Sequence, residues 1–160
     1  LDWSHWQVGS FLALWVIGYG FVQSIAPKFT KSSKDVPKTQ AVVWNALLTL
    51  SPLALTLALW QHLPVTQSII IGLGLFGILF AINSSLHSYL IVSYSRADGV
   101  SLDVGFYYMA NAAGRLLGTI LSGWVYQQWG LIACLMISTL LLLLSTAAIS
   151  FLPEREQHRV

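Results

Sequence analysis

Five long runs of apolar residues, separated by short polar connectors, divide the chain. They cover residues of about 6–26, 41–60, 67–94, 105–127 and 131–152. Each is close to the roughly 20 residues that an α-helix needs to cross a hydrocarbon core of ~30 Å. None shows the alternation of apolar and polar residues that is typical of transmembrane β-strands. The pattern predicts an all-α integral membrane protein with five transmembrane helices, which we call spans A to E in chain order.

The composition agrees with a chain whose solvent is lipid. Only 9% of the residues are charged, 56% are hydrophobic, and the mean hydropathy is +0.69, whereas soluble domains carry about a quarter charged residues. A single cysteine, Cys134, excludes an internal disulfide and a cysteine-based metal site. The chain begins at Leu1 without a basic segment before span A, which argues against a signal peptide and favours a piece of a longer protein.

The basic residues of the connectors predict the orientation in the membrane. Of the eight Lys and Arg residues, Arg115 lies inside span D, and the other seven all fall on one side. They are Lys28, Lys31, Lys34, Lys38, Arg96, Arg155 and Arg159. Because cytoplasmic loops are enriched in Lys and Arg, we expect the N-terminus of this chain outside and its C-terminus in the cytoplasm, in the inner (plasma) membrane of the cell. The lysine-rich connector is also suited to contact anionic lipids of the bilayer.

Two spans carry polar residues at membrane depth. Span C places Asn83 and His87 one helical turn apart, and span D places Asn111 and Arg115 at the same spacing. Arg115 lies roughly 15 Å past Gly105 at ~1.5 Å per residue, close to the centre of the bilayer. We therefore expect these four side chains to converge. Spans B and E contain nothing ionisable and are predicted to be lipid-facing support helices.

Arg115 is the strongest candidate for binding. An arginine at the bilayer centre costs at least ~2.5–3.5 kcal/mol to insert, so it is expected to face protein or a water-filled cavity. Its guanidinium group presents a fixed fork of donors to phosphate or carboxylate. The alternative is a structural arginine that is bonded to backbone carbonyls or to Asn83. For His87, a neutral ring held by a neighbouring hydroxyl is an equal alternative to a substrate-binding or proton-binding role.

Two acidic residues lie in the connector between spans C and D. Asp98 and Asp103 are predicted to act as cytoplasmic gate residues or loop anchors rather than as binding residues. Asp103 stands just before span D, where a carboxylate can cap a helix N-terminus.

No sequence motif indicates catalysis or a cofactor. There is no glycine-rich phosphate loop, no GxSxG or HExxH motif, and no pair of carboxylates inside a span. We therefore predict no enzyme activity, no cofactor, no metal site and no nucleic-acid partner.

Residues 83–127, NSSLHSYLIVSYSRADGVSLDVGFYYMANAAGRLLGTILSGWVYQ, resemble the major facilitator superfamily, and among its members the organoarsenical efflux permeases. The segment GFYYMANAAGRLLGT is the most specific part. The resemblance extends over the whole chain and implies helices eight to twelve of a twelve-helix transporter, within its C-terminal six-helix domain. It further implies a partner in the missing N-terminal half and efflux of an anionic arsenate ester of phosphoglycerate, giving arsenate resistance.

Other functions stay open on the residues alone. A permease of the same superfamily for a sugar phosphate, a carboxylate or a drug is the nearest alternative. A five-helix subunit that only scaffolds a membrane complex is an alternative of a different class.

Overall fold

The structure, a computed structural model, describes residues 3–30, 38–96 and 98–153, and within them every regular element is a helix. The four helices are α1 (His5–Thr30), α2 (Lys38–Trp60), α3 (Val65–Tyr94) and α4 (Val100–Ser150). Four of the basic residues that predicted the orientation lie outside the described residues: Lys31, Lys34, Arg155 and Arg159.

A capping box begins α1. The main-chain N–H of Gln7 donates to Ser4 Oγ at 3.3 Å, and the main-chain N–H of Ser4 donates to Gln7 Oε1 at 2.8 Å. The Ser-x-x-Gln spacing thus satisfies two main-chain donors that a helix start would leave unpaired.

The prediction of five separate helices is wrong in its count, because spans D and E form one continuous helical element. α4 has 51 residues and would be roughly 75 Å long if straight. At Gly130, however, φ is 77° and ψ is −170°, a backbone geometry that only glycine adopts readily. Cys134 Sγ donates to the Ser122 carbonyl at 3.4 Å, whereas a straight helix would hold these residues about 18 Å apart. The two halves of α4, residues 100–129 and 131–150, therefore fold back against each other.

The helices pack in a chain of neighbours. α1 packs against α3, α3 against α2, and α2 against α4, whereas no packing contact joins α1 to α4 within the described ranges. α2 has more buried residues than any other helix that the structure describes. Span B is therefore not the lipid-facing support helix that its sequence predicted. Most large apolar side chains elsewhere are exposed, as expected of surfaces that contact lipid.

A buried amide network joins α2, α3 and the second half of α4. Asn83 Nδ2 donates to Asn45 Oδ1 at 3.1 Å. Asn45 Nδ2 donates in turn to Thr146 Oγ1 at 2.8 Å and to the Leu142 carbonyl at 3.2 Å. Both asparagines are more than nine-tenths buried. Three helices thus share one polar contact inside an apolar interior.

A tryptophan fixes the contact between α1 and α3. Trp15 Nε1 donates to the Leu73 carbonyl at 2.7 Å. A Cβ at Gly77 would lie 2.9 Å from the indole nitrogen, so the missing side chain of Gly77 leaves room for the ring to reach that carbonyl.

We predict that Asn45 and Asn83 are energetically coupled. Replacing Asn45 with alanine leaves the Asn83 amide without its partner, and replacing Asn83 leaves Asn45 Oδ1 without its donor. Hydrogen bonds between transmembrane helices contribute about 0.6–2 kcal/mol. A double-mutant cycle of Asn45→Ala and Asn83→Ala, measured by unfolding of the purified protein in detergent, should give a coupling free energy in this range. Thr56→Val is the control, since this buried hydroxyl bonds only to the Pro52 carbonyl of its own helix. Additive effects of the two alanines would contradict the network.

Candidate functional site

The two polar residues predicted on span D lie in the first half of α4, and both side chains are exposed. No acceptor for the Arg115 guanidinium group is found in the described part of the chain. Its main-chain carbonyl accepts the Thr119 hydroxyl at 2.8 Å. The charged group of Arg115 thus has no partner among the described residues.

One face of α4 approaches α1. Tyr107, Asn111 and Arg115 follow one another at intervals of four residues, so they lie along the same side of the helix. Tyr107 is within electrostatic range of Tyr19 on α1. α1 and α4 do not pack together, and we call the region between these two helices the α1–α4 cleft. Its walls are the side of α1 that carries Tyr19 and the side of α4 that carries Tyr107.

The structure does not bring Asn83 to Arg115. Asn83 is directed into the contact between α3 and α2, where it binds Asn45. The expected convergence of Asn83 with Arg115 is therefore corrected, and the physical reason is that α2 offers Asn83 a buried amide partner. The spacing of Asn83 and His87 on one face of α3 is real, but that face is directed partly toward α2.

His87 is half-buried, and its ring has unused hydrogen-bonding capacity. Its Nε2 atom is shielded from solvent and has no partner among the described residues. A ring held by a neighbouring hydroxyl was one of two alternatives for His87, and no hydroxyl among the described residues bonds to Nε2. Ser88, which follows His87, donates to the main-chain carbonyl of Ser84 instead.

A polar pair that the sequence did not single out lies between α1 and α3. Gln23 Nε2 is 3.4 Å from Ser84 Oγ, and both side chains are half-buried. Tyr19 and Phe80, one turn earlier on each helix, have ring centroids 5.6 Å apart. A glutamine inside an apolar span was the available signal, but it did not indicate which helix the side chain contacts.

An ion pair ties the end of α3 to the first turn of α4. Arg96 Nη2 lies 2.9 Å from Asp103 Oδ1, and the main-chain N–H of Arg96 donates to Asp103 Oδ2 at 3.0 Å. The hydrogen bond to Asp103 and the attraction of its charge raise the pKa of Arg96 above its ordinary value. Gly99, not Asp103, is the N-cap residue of α4. Asp103 is thus a loop anchor in its geometry and not a helix cap.

Asp98 occupies a different environment. It is exposed and lines an open groove of about 710 Å³ beside the first turns of α4, together with Ser101, Phe106 and Met109. A gating role for Asp98 stays a prediction.

The chemistry available at these positions is that of binding. Among the residues that the structure describes, no group of three or more His, Cys, Asp or Glu side chains could hold a metal ion. Tyr107, Asn111 and Arg115 offer one guanidinium group and neutral donors and acceptors on one side of α4, groups of the kind that bind organic anions by charge and by hydrogen bonds.

Comparison with known proteins identifies the family. Neither the curated proteins nor the solved structures include a significant match to the chain. The sequence profile of the Major Facilitator Superfamily, a family of transporters, matches residues 1–160. Each of the four described helices is long and apolar enough to cross a membrane. The chain is therefore a multi-pass membrane protein, and it belongs to the Major Facilitator Superfamily.

Proposed function

We propose that the chain is part of the C-terminal six-helix domain of an efflux permease, in which Arg115 binds the charged group of a small organic anion. Membership of the Major Facilitator Superfamily supports membrane transport in general. The observation that supports an anionic substrate is the guanidinium group of Arg115, which has no partner among the described residues.

The exposure of the Arg115 side chain is significant because its helix crosses a membrane. At its depth, contact of the guanidinium group with lipid is costly, so a protein-lined or water-filled space is the favourable environment. In this proposal the α1–α4 cleft is such a space, and the electrostatic effect of Tyr19 on Tyr107, which lies on the same face of α4, supports it. In transporters built from two halves, the substrate site lies near the midplane at the interface of the halves. The N-terminal half is the partner that would complete the site.

The substrate class follows from the charge and from the resemblance. A guanidinium group binds the paired oxygens of phosphate, arsenate or carboxylate in a bidentate fashion. The likeness of residues 83–127 to organoarsenical permeases favours an arsenate ester of phosphoglycerate, whose export would give arsenate resistance. Such a substrate is multiply anionic, which suits Arg115 with Asn111 and His87 as neutral neighbours.

For the topology, we propose that α4 crosses the membrane twice, so that the chain has five crossings from an outer N-terminus to a cytoplasmic C-terminus. Gly130, which reverses the direction of α4, supports this arrangement. So does the position of the exposed aromatic side chains near the outer boundary, where an aromatic belt is expected. These are Trp6, Trp60, Tyr126 and Trp129.

Replacement of Arg115 tests the binding role. Arg115→Lys keeps the charge but loses the planar fork, and hydrogen bonds to charged groups contribute about 1.5–3 kcal/mol. We expect Arg115→Lys to lower export roughly tenfold to a hundredfold, and Arg115→Ala to abolish nearly all of it. The measurement is export of the arsenate ester from cells that express the full-length transporter, at equal membrane levels of each variant. Ser138→Ala is the control, because this exposed hydroxyl bonds only to its own helix. Unchanged export by a well-expressed Arg115→Lys protein would refute the binding role.

Single cysteines test the topology. In a Cys134→Ala background, cysteines at His62 and Gln128 should react with a membrane-impermeant maleimide from the outside of intact cells. A cysteine at Asp98 should react only after the membrane is opened. All three positions are exposed. If Gln128 reacted from the same side as Asp98, α4 would not cross twice.

The Arg96–Asp103 pair tests the anchor role. We expect Asp103→Asn to lower the rate of export while leaving the preference between two substrates unchanged, because the carboxylate positions the start of α4 and does not contact substrate. Exchange of the two charges, Arg96→Asp with Asp103→Arg, should restore part of the rate. Asp98→Asn is the comparison, since this carboxylate makes no hydrogen bond within the described ranges. A changed substrate preference in Asp103→Asn would show that the residue takes part in binding.

A further inference from the structure

The polar side chains of the helices fall into two groups, which differ in how many of their hydrogen-bonding atoms have a partner. Toward α2 and the second half of α4, most of the described polar groups are engaged, although Gln40 Oε1 and Asn83 Oδ1 are buried without a partner. Thr49, Thr56, Thr139 and Thr146 donate to the carbonyl four residues earlier on their own helices. Asn45 makes three hydrogen bonds across helix contacts. These groups need no further partner.

The contact between α1 and α3 is different. Gln23 makes one hydrogen bond, and at 3.4 Å it is at the long limit for such a bond. The Oε1 atom of Gln23 and its second N–H have no partner in the parts of the chain that the structure describes. His87, one turn beyond Ser84 on α3, has its shielded Nε2 atom unpaired as well. Unused neutral hydrogen-bonding capacity is therefore also found in the contact between α1 and α3.

The depth of this pair matches that of Arg115. Ser84 lies 11 residues before Ser95 and thus about 16 Å from the cytoplasmic end of α3, while Arg115 lies roughly 15 Å past Gly105 on α4. Both helix ends meet the same connector, where Arg96 binds Asp103. The neutral pair and the guanidinium group therefore stand at one level of the membrane.

Aromatic rings cover Gln23 and Ser84 on the side toward the N-terminus of α1. Tyr19 stacks on Trp15 with centroids 5.8 Å apart and contacts Phe80 on α3. The indole of Trp15 is held by the Leu73 carbonyl. The rings thus form a fixed wall one turn away from Gln23, and a ligand that reaches the pair would enter from the other side.

We propose that Gln23 and Ser84 form a neutral subsite that recognises a hydroxyl group of the substrate. The inference rests on the proposed function, because it assigns to Gln23 and Ser84 the uncharged part of the same organic anion that Arg115 binds. An amide and a hydroxyl can each donate and accept, which matches a substrate hydroxyl. A site with such groups disfavours an analogue that lacks the hydroxyl, since its own polar groups then stay unpaired. The subsite selects hydroxylated organic anions over deoxygenated ones.

Two probes of equal charge separate this role from helix packing. They are 3-phosphoglycerate and its 2-deoxy analogue 3-phosphonooxypropanoate, and binding of each to the purified full-length transporter is measured by calorimetry. One hydrogen-bonded hydroxyl should favour 3-phosphoglycerate about fivefold to tenfold. Gln23→Met keeps the length of the side chain. It should lower the affinity for 3-phosphoglycerate to that for the analogue and leave the affinity for the analogue unchanged. Ser84→Ala is a second variant with the same expected direction.

The controls distinguish the subsite from the binding role of Arg115. Ser51→Ala removes a cross-helix bond of the same 3.4 Å length, from Ser51 Oγ to the Gly72 carbonyl in the contact of α2 with α3, and should change neither affinity. Arg115→Ala should lower the affinity for both probes by a similar factor. If the wild-type protein bound both probes equally and Arg115→Ala weakened both, the subsite would be refuted while the anion site stood. Failure of the wild-type protein to bind either probe would count against the proposed function and this inference together. If Gln23→Met lowered stability but kept the preference, the pair would be a packing contact.

Discussion

The exclusion of water from the hydrocarbon core is the constraint on which this structure depends. A polar group at that depth has no solvent to bind, so the protein must supply its partner. Most polar side chains meet this requirement locally, by donating to their own helix. Asn45 meets it across helices, and by doing so it holds α3 and the second half of α4 at fixed positions against α2. One amide thus defines how three apolar helices pack.

The same constraint is not met at several of the described polar groups, and some of them belong to the candidate site. Arg115 is charged, exposed and unpaired within the described residues, and Gln23 and His87 keep unused hydrogen-bonding groups at similar depth. A protein whose role was only to support a complex would gain stability by replacing them with apolar residues, since unpaired polar groups are costly in a dry interior. In the proposed function, water and substrate alternate as the partners of these groups.

The sequence predicted much of the fold but not the orientation of the helices about their axes. Run lengths gave the apolar segments, and the resemblance gave the family that the profile match then established. A break between spans D and E was expected, but not that the positive φ of the single residue Gly130 would suffice to reverse the helix. Spans that are apolar on all sides carry no periodic signal of their inner face. The partner of Asn83 was therefore placed on the wrong helix, and Gln23 was passed over, because only the packed structure shows which residues oppose them.

Within the described ranges α1 packs only against α3, whereas α2, α3 and the second half of α4 share a buried network. α1 is joined to α3 by aromatic packing, by the bond from Trp15 to the Leu73 carbonyl and by the long bond from Gln23 to Ser84. A small displacement of α1 would break the Gln23–Ser84 bond and leave the asparagine network intact. A substrate hydroxyl that bridged Gln23 and Ser84 would replace that bond with two better ones. Binding would then draw α1 toward α3 while the charged group is held from α4, so that the neutral subsite would stabilise one conformation of the α1–α4 cleft as well as select the substrate.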